Sequence, residues 1–296
     1  MSSSTRAPRP LDHLVLPVTD IKTARERLTR LGFSVAADAR HPFGTENACV
    51  YFSDKSYLEP LGLASQDECR EAVRAGNQFV ARDQAFRFRH GPEGLSAIAM
   101  GSDDADGDDA RFRANAMSSG ELLTFSRQMK LPDGSEVTAN FKLAFATDLR
   151  SPDFHDITCQ RINMPPVDRS ALERHPNGVK AISEVILSEP DPEDFRFYLG
   201  EIVSQDEAIL DEAGMELQSA NAIITVLNPD GMMALFGMKA SCHSRGLRGR
   251  AVIFKVSDLA ATESLFKTNG VEFTFRDNRL LVPHEEGQSV LFAFEE

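Results

Sequence analysis

One order of elements recurs four times along the 296-residue chain, and it limits the fold more than any other feature. Each time a strand is followed by a helix and then by further strands. In the first occurrence, Leu11–Val18 alternates apolar residues and predicts a strand. Asp20 stands where a helix N-cap belongs, Ile21, Ala24, Leu28 and Leu31 follow at helical spacing, and Gly32 is the stop. The segments 33–37, 48–52 and 57–63 predict three more strands.

The order returns with a strand over 95–100, a helix over 108–117 and strands over 121–131, 137–147 and 154–161. Leu131-Pro132-Asp133-Gly134 predicts the hairpin turn between two of these. The third unit has a strand over 182–187, a helix over 191–203 and strands over 215–219, 222–227 and 233–238. The fourth has a strand over 250–256, a helix over 259–269 closed by Gly270, and strands over 271–275, 279–282 and 289–294. His13 lies seven residues before Asp20, and Glu184 lies seven before Asp191, so the first and third units align. A single unit of this kind cannot bury its sheet face alone, so the units must pair. The expected fold class is α+β: four tandem βαβββ modules paired into cupped mixed sheets. The expected division is a disordered arm over 1–10, an N-terminal domain over 11–164, a linker over 165–178 and a C-terminal domain over 179–296. The segment 65–89 predicts a helical connection between the first two units.

Composition narrows the function. Lys and Arg number 32 against 45 Asp and Glu, a net charge of −13, which disfavours nucleic acid and anionic membrane surfaces as partners. Hydrophobic residues make up 42%, enough for a core. No apolar run approaches the ~18–20 residues of a membrane helix, and the polar start MSSSTRAPRP predicts no secretory signal. Four dispersed cysteines (Cys49, Cys69, Cys159, Cys242) with no CxxC pair fit reduced thiols in a cytoplasmic protein. The acidic run 102–109 lacks the ligand order of a calcium loop and predicts a solvated helix N-terminus. No P-loop, G-x-S-x-G or G-x-G-x-x-G motif is present.

Two residues are out of place in apolar strands. His13 in LDHLVLPV is either a core histidine bonded to backbone or a metal ligand through one neutral ring nitrogen. Glu59 in YLEPL is costly to bury unless it is paired or metal-bound. They occupy the first and last strands of one module and can meet only if both strands line one concavity. Arg40, His41 and Asn47 surround a turn containing Pro42 and Gly44. This is either an ordinary hairpin or a set of cationic and amide groups at the mouth of that concavity.

Asp12-His13, Arg40-His41-Pro42 with Gly44-Thr45 and Asn47, and Tyr57-Leu58-Glu59 together resemble the glyoxalase-like branch of the vicinal oxygen chelate superfamily. The resemblance is strong over roughly residues 10–63 and patchier beyond, where Cys159-Gln160 and His175-Pro176-Asn177-Gly178 continue it. It implies a divalent metal (Mn, Fe, Ni or Zn) in a cupped sheet, with His13 and Glu59 as ligands. Departures accompany it. The corresponding positions of the second module fall near Ser96 and Gln160, which are poor ligands. Arg161 stands where a histidine is common, and would instead hold a substrate carboxylate or phosphate. In the C-terminal half Glu184 and Ala293 mark the positions, so that half is expected to be structural.

The resulting expectation is a metal-dependent enzyme on a small oxygenated metabolite. Glu59 and His41 would be catalytic, and Arg40, Asn47, Gln160 and Arg161 would bind substrate. Lyase, isomerase and dioxygenase chemistry stay open. The alternative is a metal-free small-molecule binding protein of the same fold. Whether the cups close within one chain or across a homodimer is also open.

Overall fold

A computed structural model describes residues 6–130, 136–163 and 168–296. The N-terminal sheet takes β1 (Leu11–Pro17), β2 (Ala39–Arg40), β3 (Thr45–Asn47), β4 (Val50–Tyr51) and β5 (Tyr57–Leu63) from the first module. The second module adds β6 (Ala97–Ser102), β7 (Leu123–Lys130), β8 (Glu136–Ala146) and β9 (His155–Ile162). The strand order is β2-β3-β5-β1-β6-β9-β8-β7, with β4 also on β5. The first strands of the two modules, β1 and β6, run antiparallel at the centre, and each has its own module's last strand beside it in parallel.

The C-terminal sheet repeats this plan. It contains β10 (Val179–Ser188), β11 (Ile209–Leu210), β12 (Gly214–Gln218), β13 (Ile223–Leu227), β14 (Arg248–Val256), β15 (Thr274–Arg276), β16 (Arg279–Val282) and β17 (Leu291–Glu295). Its order is β11-β12-β13-β10-β14-β17-β16-β15, with β10 and β14 antiparallel at the centre. The expected α+β fold of paired βαβββ modules is the observed one, two modules to each cupped sheet.

Helix α1 (Ile21–Arg30) shows how local sequence sets an element. Asp20 caps it by accepting from the Thr23 amide, and Ile21, Ala24 and Leu28 form its buried face. Gly32 leaves the helix at φ +81°, where a Cβ would meet Asn177 at 2.9 Å. Helices α2 (Gln66–Arg74) and α3 (Gln78–His90) fill the expected helical connection. In α4 (Ala105–Ala114) the acidic run forms the helix N-terminus, with Asp104 as cap and Asp106 and Asp108 in the first turn, but it is not all solvated: Asp108 and Asp109 are buried. The remaining helices are α5 (Arg196–Val203), entered through a short 3-10 turn, α6 (Pro229–Phe236) and α7 (Leu259–Thr268).

Three strand expectations need correction. Residues 33–37 form no strand, and within 48–52 only Val50–Tyr51 pairs. Residues 233–238 belong mostly to α6, because Asn228 caps it, Pro229 starts it, and Gly237 ends it in the left-handed region. The hairpin turn expected at 131–134 lies outside the described residues, as do positions 165–167 of the expected linker and the first five residues of the arm. Arg6–Pro10 are held in place. Arg9 pairs with Asp108 and donates to the Glu201 and Ile202 carbonyls, tying the arm to α4 and α5.

Strand alternation sorts the core into layers. Leu14, Leu16, Ile98 and Met100 of one sheet pack with Val185, Leu187, Val252 and Phe254 of the other in one shared core. Val15, Leu61, Ala97, Ala99 and Ile157 face the opposite way, into the N-terminal cup. Ile186, Ala251, Ile253 and Ala293 line the corresponding C-terminal face.

Candidate functional site

The first module supplies the carboxylate and imidazole groups of the N-terminal cup. β1 and β5 lie side by side with His13 opposite Tyr57 and Val15 opposite Glu59, so His13 and Glu59 share the concave face. The ladder between β1 and β6 shifts register between Leu11 and His13, which marks a bulge. It lets consecutive residues act together: His13 Nδ1–H donates to Asp12 Oδ1 at 2.6 Å. Burial would raise the Asp12 carboxyl, but this hydrogen bond and the Arg161 guanidinium at 2.7 Å outweigh it and hold it below the usual range. Tyr57 stacks on the His13 ring at 4.5 Å.

His13 Nε2 then faces Glu59 Oε2 at 3.6 Å. The hairpin of β2 and β3 brings a second imidazole to the same carboxylate, with His41 Nε2 3.6 Å from Glu59 Oε1. His41 Nδ1 shares a hydrogen bond with Thr45 Oγ1 at 2.8 Å, and Asn47 Nδ2 donates to Glu59 Oε1 at 2.6 Å. Burial pushes His41 down to about 4 against the opposing pull of Glu59, so its ring is neutral near pH 7. Phe43 stacks on it at 5.0 Å.

These residues fit half of a metal centre. Two ligands bound at ~2.1 Å to one tetrahedral ion stand about 3.4 Å apart, close to the His13–Glu59 spacing. The outer nitrogen of each imidazole is already engaged, the support that orients metal-binding histidines. The second module offers no matching pair: Ala97 and Ala99 face the cup from β6, and Cys159 and Arg161 from β9. Burial keeps Cys159 a thiol. Among the described residues no three His, Cys, Asp or Glu side chains form a ready metal cage.

Of the residues expected at the site, the structure therefore brings together His13, His41, Asn47 and Glu59, with Arg161 one contact behind at Asp12. Two are placed elsewhere. Arg40 ends β2 exposed, where it pairs with Glu68 at 2.7 Å. Gln160 turns from the cup to the N-terminus of α4, donating to the Asp103 carbonyl and accepting from the Ala105 amide. Ser96 is buried, its hydroxyl 3.5 Å from the Val15 carbonyl. In the C-terminal half Glu184 is engaged by Thr225 and Arg279, and Ala293 is packed in its core.

Sequence reasoning passed over Arg127. It reaches the cup from β7 and lines, with His13, His41, Tyr57 and Glu59, a cavity of about 30 Å³, room for little more than a water. Its signal was available: Phe125 and Arg127 alternate with exposed Ser126 and Gln128, so the strand turns a cation inward with an aromatic ring. Phe43, Phe79 and Phe125 close the cavity, Phe79 coming from the first turn of α3.

A cupped sheet of paired βαβββ modules with a polar floor contributed by β1 and β5 defines the vicinal oxygen chelate class. Within it, the glyoxalase-like domain family matches residues 11–203, and the chain belongs to that family. No curated protein matches the chain. Among solved structures, a hypothetical protein from Staphylococcus aureus is similar over 97% of this chain and 98% of its own, at 11% identity and a TM-score of 0.64. A mutant 4-hydroxymandelate synthase from Streptomyces coelicolor is similar over 98% and 92%, at 14% identity and a TM-score of 0.59. A fusion of a xylose isomerase-like TIM barrel with a 4-hydroxyphenylpyruvate dioxygenase is similar over 99% of this chain and 49% of its own, at 14% identity and a TM-score of 0.55. At these identities the likeness concerns the fold.

Proposed function

We propose that the N-terminal cup is the active site of a metal-dependent enzyme acting on a small oxygenated metabolite in the cytoplasm. The observation that carries this reading is the convergence of His13 Nε2 and His41 Nε2 on Glu59, each ring held from behind by a hydrogen bond at Nδ1. His13 and Glu59 would hold a divalent ion (Mn, Fe, Ni or Zn), leaving its other positions to substrate oxygens and water. The ion, when bound, would polarise two neighbouring substrate oxygens and stabilise negative charge as it develops.

The chain's own residues do the rest. Asp12 fixes the His13 tautomer and ring orientation. Asn47 donates to Glu59 Oε1 and sets the carboxylate plane. His41, neutral and facing the cup, presents Nε2 as an acceptor for a substrate proton. The walls of Phe43, Phe79 and Phe125 keep bulk water out.

Metal analysis of protein purified without chelator tests the reading. Near one equivalent of metal is expected, lost in His13→Ala and Glu59→Gln, with Asp12→Asn lowering metal affinity roughly 10–100-fold. No metal uptake by the wild type, even when the candidate ions are supplied, would sink it. The lack of a second-module ligand pair matching His13 and Glu59 among the described residues favours a second reading, a metal-free binding protein that sequesters a small molecule in the same cup. Ligand-induced rises in melting temperature without turnover or metal would support that reading.

A further inference from the structure

Of the arginines on or near the N-terminal cup, Arg161 pairs with Asp12, and Arg40, outside it, with Glu68. Arg127 does not. Its guanidinium lies over the Phe141 ring at 5.5 Å. Its Nε and Nη1 are buried with no hydrogen-bond partner among the described residues, and none of their carboxylates comes within 4.0 Å of it. A guanidinium has five N–H donors and cannot shed its proton, so buried donors without acceptors are a standing cost to the fold. Such a group persists where an acceptor arrives from outside. The acceptor must come through the cavity that Arg127 shares with His13, His41 and Glu59. Asn47 Oδ1 is likewise buried without a partner, beside the same carboxylate.

We infer that Arg127 anchors the carboxylate of the substrate, which makes the ligand a small organic acid. The carboxylate supplies the acceptor that Arg127 lacks. The apolar remainder lies against Phe43, Phe79 and Phe125. The cavity as it stands, about 30 Å³, admits little more than a water, so an acid that enters displaces those rings. The inference rests on reading the cup as a substrate site and does not depend on the ion.

The experiment titrates pyruvate, acetate and the neutral analogue pyruvamide into chelator-treated protein by calorimetry, for the wild type, Arg127→Gln and Arg127→Lys. Circular dichroism and melting without ligand report folding. The acids are expected to bind the wild type and pyruvamide to bind at least about tenfold more weakly. Arg127→Gln should lose about tenfold or more in pyruvate affinity, and Arg127→Lys should fall between. Equal pyruvate affinity in folded Arg127→Gln, equal affinity for pyruvamide, or no binding of either acid to the wild type overturns the inference. The two readings fail separately. Arg127-dependent acid binding without metal uptake leaves the inference standing and removes the metal. Metal uptake at His13 and Glu59 with acid binding indifferent to Arg127 does the reverse.

Discussion

Asp156 is fully buried on β9, on the same face as buried Thr158. Burial pushes its carboxyl up to about 7, against a smaller pull from the Tyr198 hydroxyl. The folded state therefore favours the protonated acid. Its contribution to stability is complete below pH ~4, the unfolded value, and is lost as pH rises through about 7. The loss is on the order of 4 kcal/mol. Urea unfolding at pH 5 and pH 8 measures it: Asp156→Asn should flatten the fall between these pH values, and an unchanged fall would refute the assignment. Three histidines act in the opposite direction. Burial pushes His41 and His175 down to about 4 and His155 to about 3, so the stability of their neutral forms is present above pH ~6.5 and lost as pH falls. His175 shows why: its Nδ1 accepts from the Ser34 amide and its Nε2–H donates to the Tyr51 carbonyl, which leaves no place for a second proton.

Among elements, the helical pair α2 and α3 does most to define the cup, because its side chains stand between the polar floor and solvent. Phe79 is the plug. Phe79→Ala should destabilise the fold by about 3 kcal/mol and speed ligand entry, read by denaturant unfolding and by stopped-flow association of pyruvate. Slower or unchanged entry would place the gate elsewhere. Elements were legible in the sequence where two signals agreed. α1 has its cap, its apolar stripe and its terminal glycine, and β5 has a largely apolar run ending before Ser65, the cap of α2. They were misread where one signal stood alone. The apolar run 233–238 suits a strand or a helix, and only the flanking Asn228-Pro229 and Gly237 decide it. Residues 33–37 are apolar because Phe33 joins the shared core, with no strand beside them to pair. At the site, His13 and Glu59 were legible because polar groups interrupt apolar strands. Arg40 and Gln160 are close to cup residues in sequence, yet Arg40 ends β2 exposed and Gln160 faces the opposite side of β9 from its neighbour Arg161. For Arg127 the alternation of 125–128 shows only that a cation turns inward; the His13, His41 and Glu59 it joins lie 68 or more residues away.

Across the whole molecule the two sheets lean on one core rather than two. Phe33 and Phe52 of the N-terminal half meet Phe254, Phe292 and Phe294 of the C-terminal half, most ring pairs between 5 and 6.3 Å apart. Polar links reinforce this contact. Arg27 of α1 donates to Gln288, and Asn221 pairs with both backbone groups of Leu11. Unfolding should accordingly be one cooperative transition, with calorimetric and spectroscopic midpoints coinciding. Two separated transitions would show that the halves melt independently. Because the core is shared, the cups lie on the outer sides of the two sheets, facing away from each other. No molecule released from one can diffuse directly into the other. Each cup has therefore been free to change without the other's consent: one could shed every ligand and fill with side chains, and still serve as ballast that keeps its twin in shape.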